Sequence, residues 1–445
     1  MIALFASEKV FLPAIEAVLR HEGLDVSSFT LTSQLTELDS GASIKNVVLV
    51  TNETGAVNIG EQAEQLRGLI PKQTDLLICA PPITTSTHEM LSELGASEIV
   101  SPESWHPQHI GERIFAHLAL QNELLPNGCG ALRGATKKAR ELYSQIELLA
   151  PLSETILIIG ETGTGKELVA RELHNRSGRK GPYVPINAPE LDPNLISSEL
   201  FGHVKGAFSG ADKTRTGLIV SAGAGTVFLD EIGDLDLQSQ AKLLRMLEDH
   251  TVRKVGANHF DPIHARIILA TNRDLQTACH EGRFRADLYE RIRGFTLELP
   301  PLRDRKPDIP LLAAHFVSEY NNDYETSNQI SATSTDCLFQ YDWPGNVREL
   351  RAVIRKGAAY SDSSGYINSL ILQDSLSKPR PSVKQTGIQF DPAVDNWRDL
   401  QRRVESTYFR ALLAYTNGNR ESAIKLSGLS RSRFFEKLKE LSKDT

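Results

Sequence analysis

Apolar and polar positions change rhythm several times along the chain. Over residues 1–120, short apolar runs (IALFA, NVVLV, DLLICA, ASEIV) are separated by segments with helical spacing such as FLPAIEAVLRHEG. That pattern predicts a small parallel α/β domain. The polar, glycine-bearing stretch QNELLPNGCG (121–130) joins it to a second α/β pattern over residues 131–300, with strands predicted at TILIIG, YVPIN, GTVFLDE and ARIILATN. Residues 301–372 read as mainly helical, interrupted at Trp343–Asn346 just before VRELRAVIRKGAAY. Residues 373–391 mix serine, proline and charge with little to bury, which predicts a flexible linker. The last segment, 392–445, is predicted all-α. An apolar helical face precedes Gly418, a short helix carries Ala423, Ile424 and Leu426, and a basic helix follows the turn at Gly428, anchored by Leu429 and the pair Phe434/Leu438.

A chain of 445 residues exceeds one ordinary hydrophobic core and implies several domains. Its 40% hydrophobic and 24% charged residues are a soluble globular balance. The net charge of −7 gives no whole-chain signal for nucleic acid, yet residues 397–445 hold eleven Lys/Arg against six Asp/Glu, so the basic signal is local. Four dispersed cysteines (Cys79, Cys129, Cys279, Cys337) fit reduced thiols and no zinc site. The start MIALFASEKVF lacks a basic n-region with a long apolar run, and no apolar stretch approaches the roughly 18–20 residues that span a bilayer. A cytoplasmic protein without membrane partners is expected.

TILIIGETGTGKELVARELH is an apolar strand, a glycine-rich turn and a helix. Gly160, Gly163 and Gly165 let the backbone curl, so that amides of the loop Gly160–Glu161–Thr162–Gly163–Thr164–Gly165 point at phosphate. Lys166 adds a point charge and the following helix its positive end. Glu167 stands where the general motif has a Ser or Thr as magnesium ligand, which shifts the ion onto water and Asp230. In GTVFLDEI a buried strand delivers two carboxylates at its C-terminal end. Asp230 suits Mg2+, and Glu231 suits the orientation and deprotonation of an attacking water. ATP and Mg2+ are therefore the expected ligands, and ATP hydrolysis the expected reaction. A purely structural glycine turn and a solvated acidic turn are the bland alternatives.

ARIILATNRD ends in Thr271 and Asn272, placed to sense a γ-phosphate, or simply a strand end. Asn187 can bond Glu231 and restrain it, or be a turn asparagine. Arg285 and Arg291 in GRFRADLYERI can complete a neighbouring subunit's site, or be ordinary solvated arginines. In WPGNVREL, Asn346 can cap the next helix and Arg348 can reach phosphate, or make a surface ion pair. The segment Gly206–Ala207–Phe208–Ser209–Gly210–Ala211 reads on bare physics as a flexible loop with an exposed aromatic tip.

Residues 131–372 resemble the AAA+ domain of bacterial enhancer-binding proteins, the activators of sigma-54 RNA polymerase. The resemblance is carried by GETGTGKE, SELFGHVKGAFSGA, GTVFLDEI, ATNRDL, FRADLYERI, LPPLRDR and WPGNVREL, in that order. It implies a P-loop α/β core (131–300) with a helical lid (301–372), and a dimer assembling up to a hexameric ring that binds ATP between subunits. It implies that Lys166 contacts phosphate, Asp230 and Glu231 handle magnesium and water, and Asn187 acts as the glutamate switch. Arg285 and Arg291 match the arginines supplied in trans, and Arg348 the second sensor. The loop, usually GAFTGA, would engage sigma-54 through Phe208 and Ser209. Serine at 209 keeps the hydroxyl and loses a methyl, and Val204 replaces a usual glutamate.

Residues 392–445 resemble a Fis-type helix-turn-helix, which implies Arg431, Ser432, Arg433, Lys437 and Lys439 as contacts to double-stranded DNA upstream of promoters. Residues 1–120 resemble a response-regulator receiver of doubly wound type that has lost its chemistry. Thr51 stands in the place of the phosphorylatable aspartate, Ser101 replaces the lysine before a proline, and only Glu8 marks the acidic pair. Control by a small-molecule or protein effector, or a role only in assembly, is expected there. The leading expectation is an ATP-driven activator that remodels the sigma-54 RNA polymerase closed complex. The alternatives are a DNA-bound regulator or repressor working with another polymerase form, with nucleotide controlling assembly, and a remodelling ATPase for unrelated proteins.

Overall fold

A computed structural model describes residues 2–6, 12–30, 46–51, 59–70, 74–81, 83, 85–100, 107–120, 128–191, 195–208, 211–361, 365–367, 372 and 433–434. The chain divides into two units, Met1–Ser375 and Leu376–Thr445. In the second unit the description reaches Arg433, which is exposed, and Phe434, which is buried as a helix anchor should be. Arg431, Ser432, Lys437 and Lys439 lie outside the described residues, as do Ser209, Gly210, Glu8 and Ser101.

The first unit opens with a parallel sheet. Its strands are β1 (Ile2–Ala6), β2 (Val26–Thr30), β3 (Asn46–Val50), β4 (Asp75–Cys79) and β5 (Glu98–Val100), in spatial order β2-β1-β3-β4-β5. Every residue of β1 and β3 is buried, which is why these strands read as unbroken apolar runs. Ile2, Leu4 and Ala6 pack with α1 (Leu12–His21) and the helix Pro107–Leu120; Ala3 and Phe5 pack on the other face with α2 (Ile59–Leu69) and α3 (Thr85–Glu93). The Pro107–Leu120 helix is α4. Helices on both faces make this a doubly wound domain.

A hairpin of Gly128–Cys129 with Leu132–Arg133 begins the second layer system, so the expected plain connection through residue 130 ends in a strand pair. It leads into α5 (Lys137–Leu149). The second sheet comprises β6 (Ile156–Ile159), β7 (Tyr183–Asn187), β8 (Thr226–Asp230), β9 (Arg266–Thr271) and β10 (Thr296–Glu298), all parallel in the order β10-β6-β9-β8-β7. One face packs on α5 and α6 (Lys166–Arg176), the other on α7 (Leu237–Asp249) and α8 (Ala286–Ile292). Buried Arg266 donates to the carbonyls of Leu149 and Ala150, both at 2.7 Å, and so closes the C-terminal end of α5 with a cation. Burial pushes its pKa down to about 10, which leaves it charged at neutral pH.

A 3₁₀ segment, Leu302–Asp308, carries the chain into the helical lid, α9 (Ile309–Tyr324), α10 (Ala332–Gln340) and α11 (Asn346–Ala359). Trp343 turns the chain between the last two at φ +51° and is fully buried, its Nε1 donating to the carbonyl of Leu338 at 2.9 Å. The receiver-like lobe sits on this region through α1 and α4. Ala135 belongs to its core cluster and Leu311 packs against it, Arg113 pairs with Asp336 at 3.1 Å, and Arg140 donates to the carbonyl of Glu22 at 2.8 Å.

Candidate active site

The phosphate loop leaves β6 and turns at Gly163 (φ +82°) and Gly165 (φ +106°), left-handed conformations that a side chain would disfavour. A Cβ on Gly163 would also collide with the carbonyl of Gly345 in the lid, so the close approach of the two parts needs glycine there. The helix that follows begins at Lys166, which is 6% exposed. Its Nζ lies 3.2 Å from the Gly160 carbonyl and 3.2 Å from Glu231 Oε1.

β8 ends at Asp230, and Glu231 follows in the left-handed region at φ +55°. Glu231 Oε2 accepts from the backbone N–H of Asn272 at 3.0 Å, and Asn272 Nδ2 donates to Thr162 Oγ1 at 2.9 Å. Fully buried Thr271 ties the loop to the sheet by accepting the Gly160 N–H at 3.2 Å. The register that sets Thr271 beside Ile159 and Asp230 beside Asn187 therefore gathers loop, lysine, carboxylates and amide at one sheet edge. Burial pushes the Asp230 carboxyl above the ordinary carboxylate range, against the pull of Lys166.

Among the described residues no group of three or more His, Cys, Asp or Glu forms a cage for a metal ion. Glu167 is turned away, 56% exposed and paired with Arg171 at 3.0 Å. A divalent ion would rest on Asp230, with water and nucleotide oxygens completing its shell. Hard oxygen donors of that kind, few of them from protein, suit Mg2+.

A cavity of about 530 Å3 runs from this edge to the lid. Lys166, Asp230 and Glu231 line it with Arg348 and Arg351 from α11, and so do Leu132, Leu142, Leu312 and Phe316. A lining that mixes charged and apolar groups suits a ligand with phosphates and a base.

Several expected contacts are arranged otherwise. Asn187 Nδ2 donates to Glu190 at 2.7 Å and not to Glu231, whose two oxygens are taken by Lys166 and Asn272. Asn346 is not a cap: Gly345 holds that position, and the Asn346 amide accepts from Leu302 N at 2.8 Å while donating to Glu161 and Thr162 at 3.1 Å each. Arg348 lines the cavity, and its backbone N–H reaches the Gly163 carbonyl at 3.3 Å. Arg285 is held by Asp287 at 2.6 Å and Arg291 by the Leu247 carbonyl at 3.0 Å; neither lines this subunit's cavity.

Phe208 lies in the excursion closed by the antiparallel pair Gly202–His203 and Arg215–Thr216, where Gly206 N–H donates to Ala211 O at 2.9 Å and Ala211 N–H to Phe208 O at 3.0 Å. Phe208 is half-buried and sets its ring edge-on to His203, centroids 5.1 Å apart, so its tip is not the fully exposed aromatic expected. Val204 N–H donates to Val255 O at 3.1 Å, a backbone tie to the neighbouring hairpin.

Sequence reasoning assigned no chemistry to LPPLRDR, yet Arg303 grips Glu161 with two bonds of 2.6 and 2.8 Å and holds that carboxyl below its ordinary range. Buried Asp308 likewise receives the N–H groups of Ala135 and Thr136 at 2.7 and 2.9 Å.

Residues 132–298 match the family described as "Sigma-54 interaction domain", and residues 303–388 match "AAA+ ATPase lid domain". The chain is 35% identical over 381 residues to the transcriptional regulatory protein ZraR of Salmonella typhimurium, covering 84% of each chain. It is 44% identical over 263 residues to the regulatory protein LuxO of Vibrio cholerae, covering 58% of this chain and 50% of that one. Among solved structures it resembles NtrX from Brucella abortus in complex with ADP, at 25% identity and a TM-score of 0.51, over 99% of both chains.

Proposed function

Because the chain belongs to the family of sigma-54-dependent transcriptional activators, whose ATPase core and lid it carries, we propose that ATP turnover at Lys166 drives the Phe208 hairpin against sigma-54 in the closed polymerase complex. The observation that carries this reading is the convergence of Lys166, Asp230 and Glu231 on one cavity, with Asn272 bonded to Glu231, in a sheet whose 202–216 excursion bears the hairpin.

In the chemistry proposed, Lys166 leaves Glu231 for the phosphates and frees that carboxylate for water. Water attacks the γ-phosphorus, the bond to ADP breaks, and the proton passes to Glu231. Asp230 would hold Mg2+, which when bound screens phosphate charge. Asn272, joined to both Glu231 and Thr162, is the proposed sensor with Thr271, and Asn187 the proposed restraint on Glu231 once Lys166 has left. Arg285 and Arg291 would act on a neighbouring subunit in a ring, and Arg348 on the phosphates of its own. Residues 1–120 would be the regulatory domain, 131–300 and 301–372 the core and lid, 373–391 a linker, and 392–445 the tether to DNA through Arg431, Ser432, Arg433, Lys437 and Lys439. Among the described residues no helix is long and apolar enough to cross a membrane, in keeping with work in the cytoplasm.

The test is ATP-dependent open-complex formation on a sigma-54 promoter. The wild-type ring opens it; Phe208→Ala hydrolyses ATP and does not. An assembled, DNA-bound ring that turns over ATP without opening the promoter sinks the proposal. Val204, an uncharged side chain where relatives are expected to carry a glutamate, favours one second reading: a regulator of another polymerase form. It predicts promoter regulation that survives deletion of the sigma-54 gene.

A further inference from the structure

The receiver-like lobe meets the ATPase across a second cavity of about 520 Å3. α1 and α4 form one wall, and Thr136, Lys138 and residues 303–307 form the other. Of the described residues lining it, Arg305 alone also lines the nucleotide cavity.

Arg305 is 7% exposed. Its Nη2 makes one long bond, 3.4 Å, to the carbonyl of Thr164 in the phosphate loop, and its Nε has no hydrogen-bond partner. Asp308 is close enough to attract it, but that carboxylate already accepts from Ala135, Thr136 N–H and the Thr136 hydroxyl. A buried guanidinium with an unfilled donor is costly unless another state of the protein fills it. Such a state involves one of the two cavities it touches.

The surroundings connect both cavities mechanically. On the lobe side, Glu22 accepts the Lys137 N–H at 2.5 Å, and Arg113 reaches Asp336 and lies over the Phe339 ring at 4.9 Å. On the nucleotide side, Arg303 and Asn346 both hold Glu161 of the phosphate loop. Residues 302–308 therefore have the lobe at their back and the phosphate loop at their front. The 3₁₀ run is broken at Arg305 (φ −137°, ψ 44°), where the side chain passes between.

We propose that Arg305 is a positioning residue of the ATPase that couples nucleotide affinity to the seating of the receiver-like lobe, through its bond to the phosphate loop at Thr164. The proposal rests on the nucleotide-site reading above. It gives the lobe a means of control that needs no aspartyl phosphorylation, which Thr51 at the end of β3 cannot undergo as an aspartate does.

The experiment titrates a fluorescent ATP analogue into the full chain in four forms: wild type, Arg113→Ala, Arg305→Gln and the double variant. Arg113 lines neither cavity, so its loss loosens the seat only. In the wild-type background Arg113→Ala shifts the Kd by about fivefold or more, a typical coupling between sites. With Arg305→Gln present the same substitution shifts it by less than about twofold. Steady-state kinetics of Arg305→Gln show a raised KM with kcat retained, and Arg305→Lys restores part of the coupling; a merely structural role lowers kcat as well. Should thermal unfolding show Arg305→Gln unfolded, Arg305→Met, which keeps the length of the side chain without its donors, carries the cycle. Equal Arg113→Ala shifts in both backgrounds, or no shift in the wild type, overturn the proposal while leaving the nucleotide site intact. Absence of ATP binding by the wild type overturns both.

Discussion

The two sheets of the first unit share an architecture and differ in what their strands deliver. Both are five-stranded and parallel, with inner strands buried on both faces. At the C-terminal edge of the second sheet stand the phosphate loop, Asp230, Glu231, Thr271 and Asn272. At the same edge of the first, β1 ends in Ala6, β3 runs into Thr51 and β4 into Cys79 and Ala80, neutral groups packed into the protein. The aspartate of the first sheet, Asp75, opens β4 at the opposite edge. There burial works to raise its pKa, but hydrogen bonds from His117, Ser97 and Asn46 and the charge of His117 prevail and lower it to about 2. The same packing physics builds both sheets. Two or three residues where each strand exits decide whether it is a site or a scaffold.

The largest break in that contrast comes from disarming the second sheet. Glu231→Gln is expected to keep nucleotide affinity and lower kcat by about 10²–10⁴-fold, the usual contribution of a positioned base. A single-turnover measurement beside a binding titration checks it, and a variant with near-normal kcat would remove Glu231 from the chemistry.

The reverse substitution arms the first sheet. Thr51→Asp puts a carboxylate at a fully buried position whose N–H already donates to the Cys79 carbonyl. A loss of roughly 2–4 kcal/mol in unfolding free energy is expected, from placing a charge at a fully buried position. No phosphoryl label should be retained from acetyl phosphate and Mg2+. Stable labelling would mean that the first sheet lies one residue from activity, and the contrast would shrink to a point difference.

Much of this contrast was legible in the sequence, and what escaped it has a common cause. Buried parallel strands announce themselves as apolar runs because both faces are covered, so IALFA, NVVLV and TILIIG were readable. The glycine-lysine loop and the Asp230–Glu231 pair were readable because the chemistry sits in contiguous residues. Arg303 and Asn346 were not, since their partner Glu161 lies 142 and 185 residues away and nothing local marks the pairing. Asn187 was assigned a distant carboxylate, yet Glu190, three residues on, is within reach and Glu231 is already engaged. Small neighbours made Phe208 look like a bare tip, but the hairpin folds it back onto His203. Contacts made by chain reversal, in short, depend on register that composition does not encode.

The mildest test uses pH to separate the two sheets through Asp75 and Asp230, whose carboxyls are displaced in opposite directions. Asp230 is raised by burial, so its charged form is the disfavoured one, and it takes up a proton at higher pH than an ordinary aspartate. As pH falls through that raised value, the affinity for Mg2+-nucleotide should drop by about tenfold per unit, since the ion loses its protein ligand. Asp75 behaves oppositely. Its folded pKa of about 2 lies below the ordinary 3.8, so its stabilisation is complete above 3.8 and fades only as pH falls toward 2. His117, 3.4 Å away, is among the groups that hold it there. Nucleotide titrations at stepped pH, alongside hydrogen exchange of the β3 and β4 amides, should therefore show binding weakening while the first sheet stays protected. Loss of β3 and β4 protection before loss of binding would mean that the pairing at Asp75 is too weak to hold its end of the sheet, and the quieter sheet would then be the less stable one.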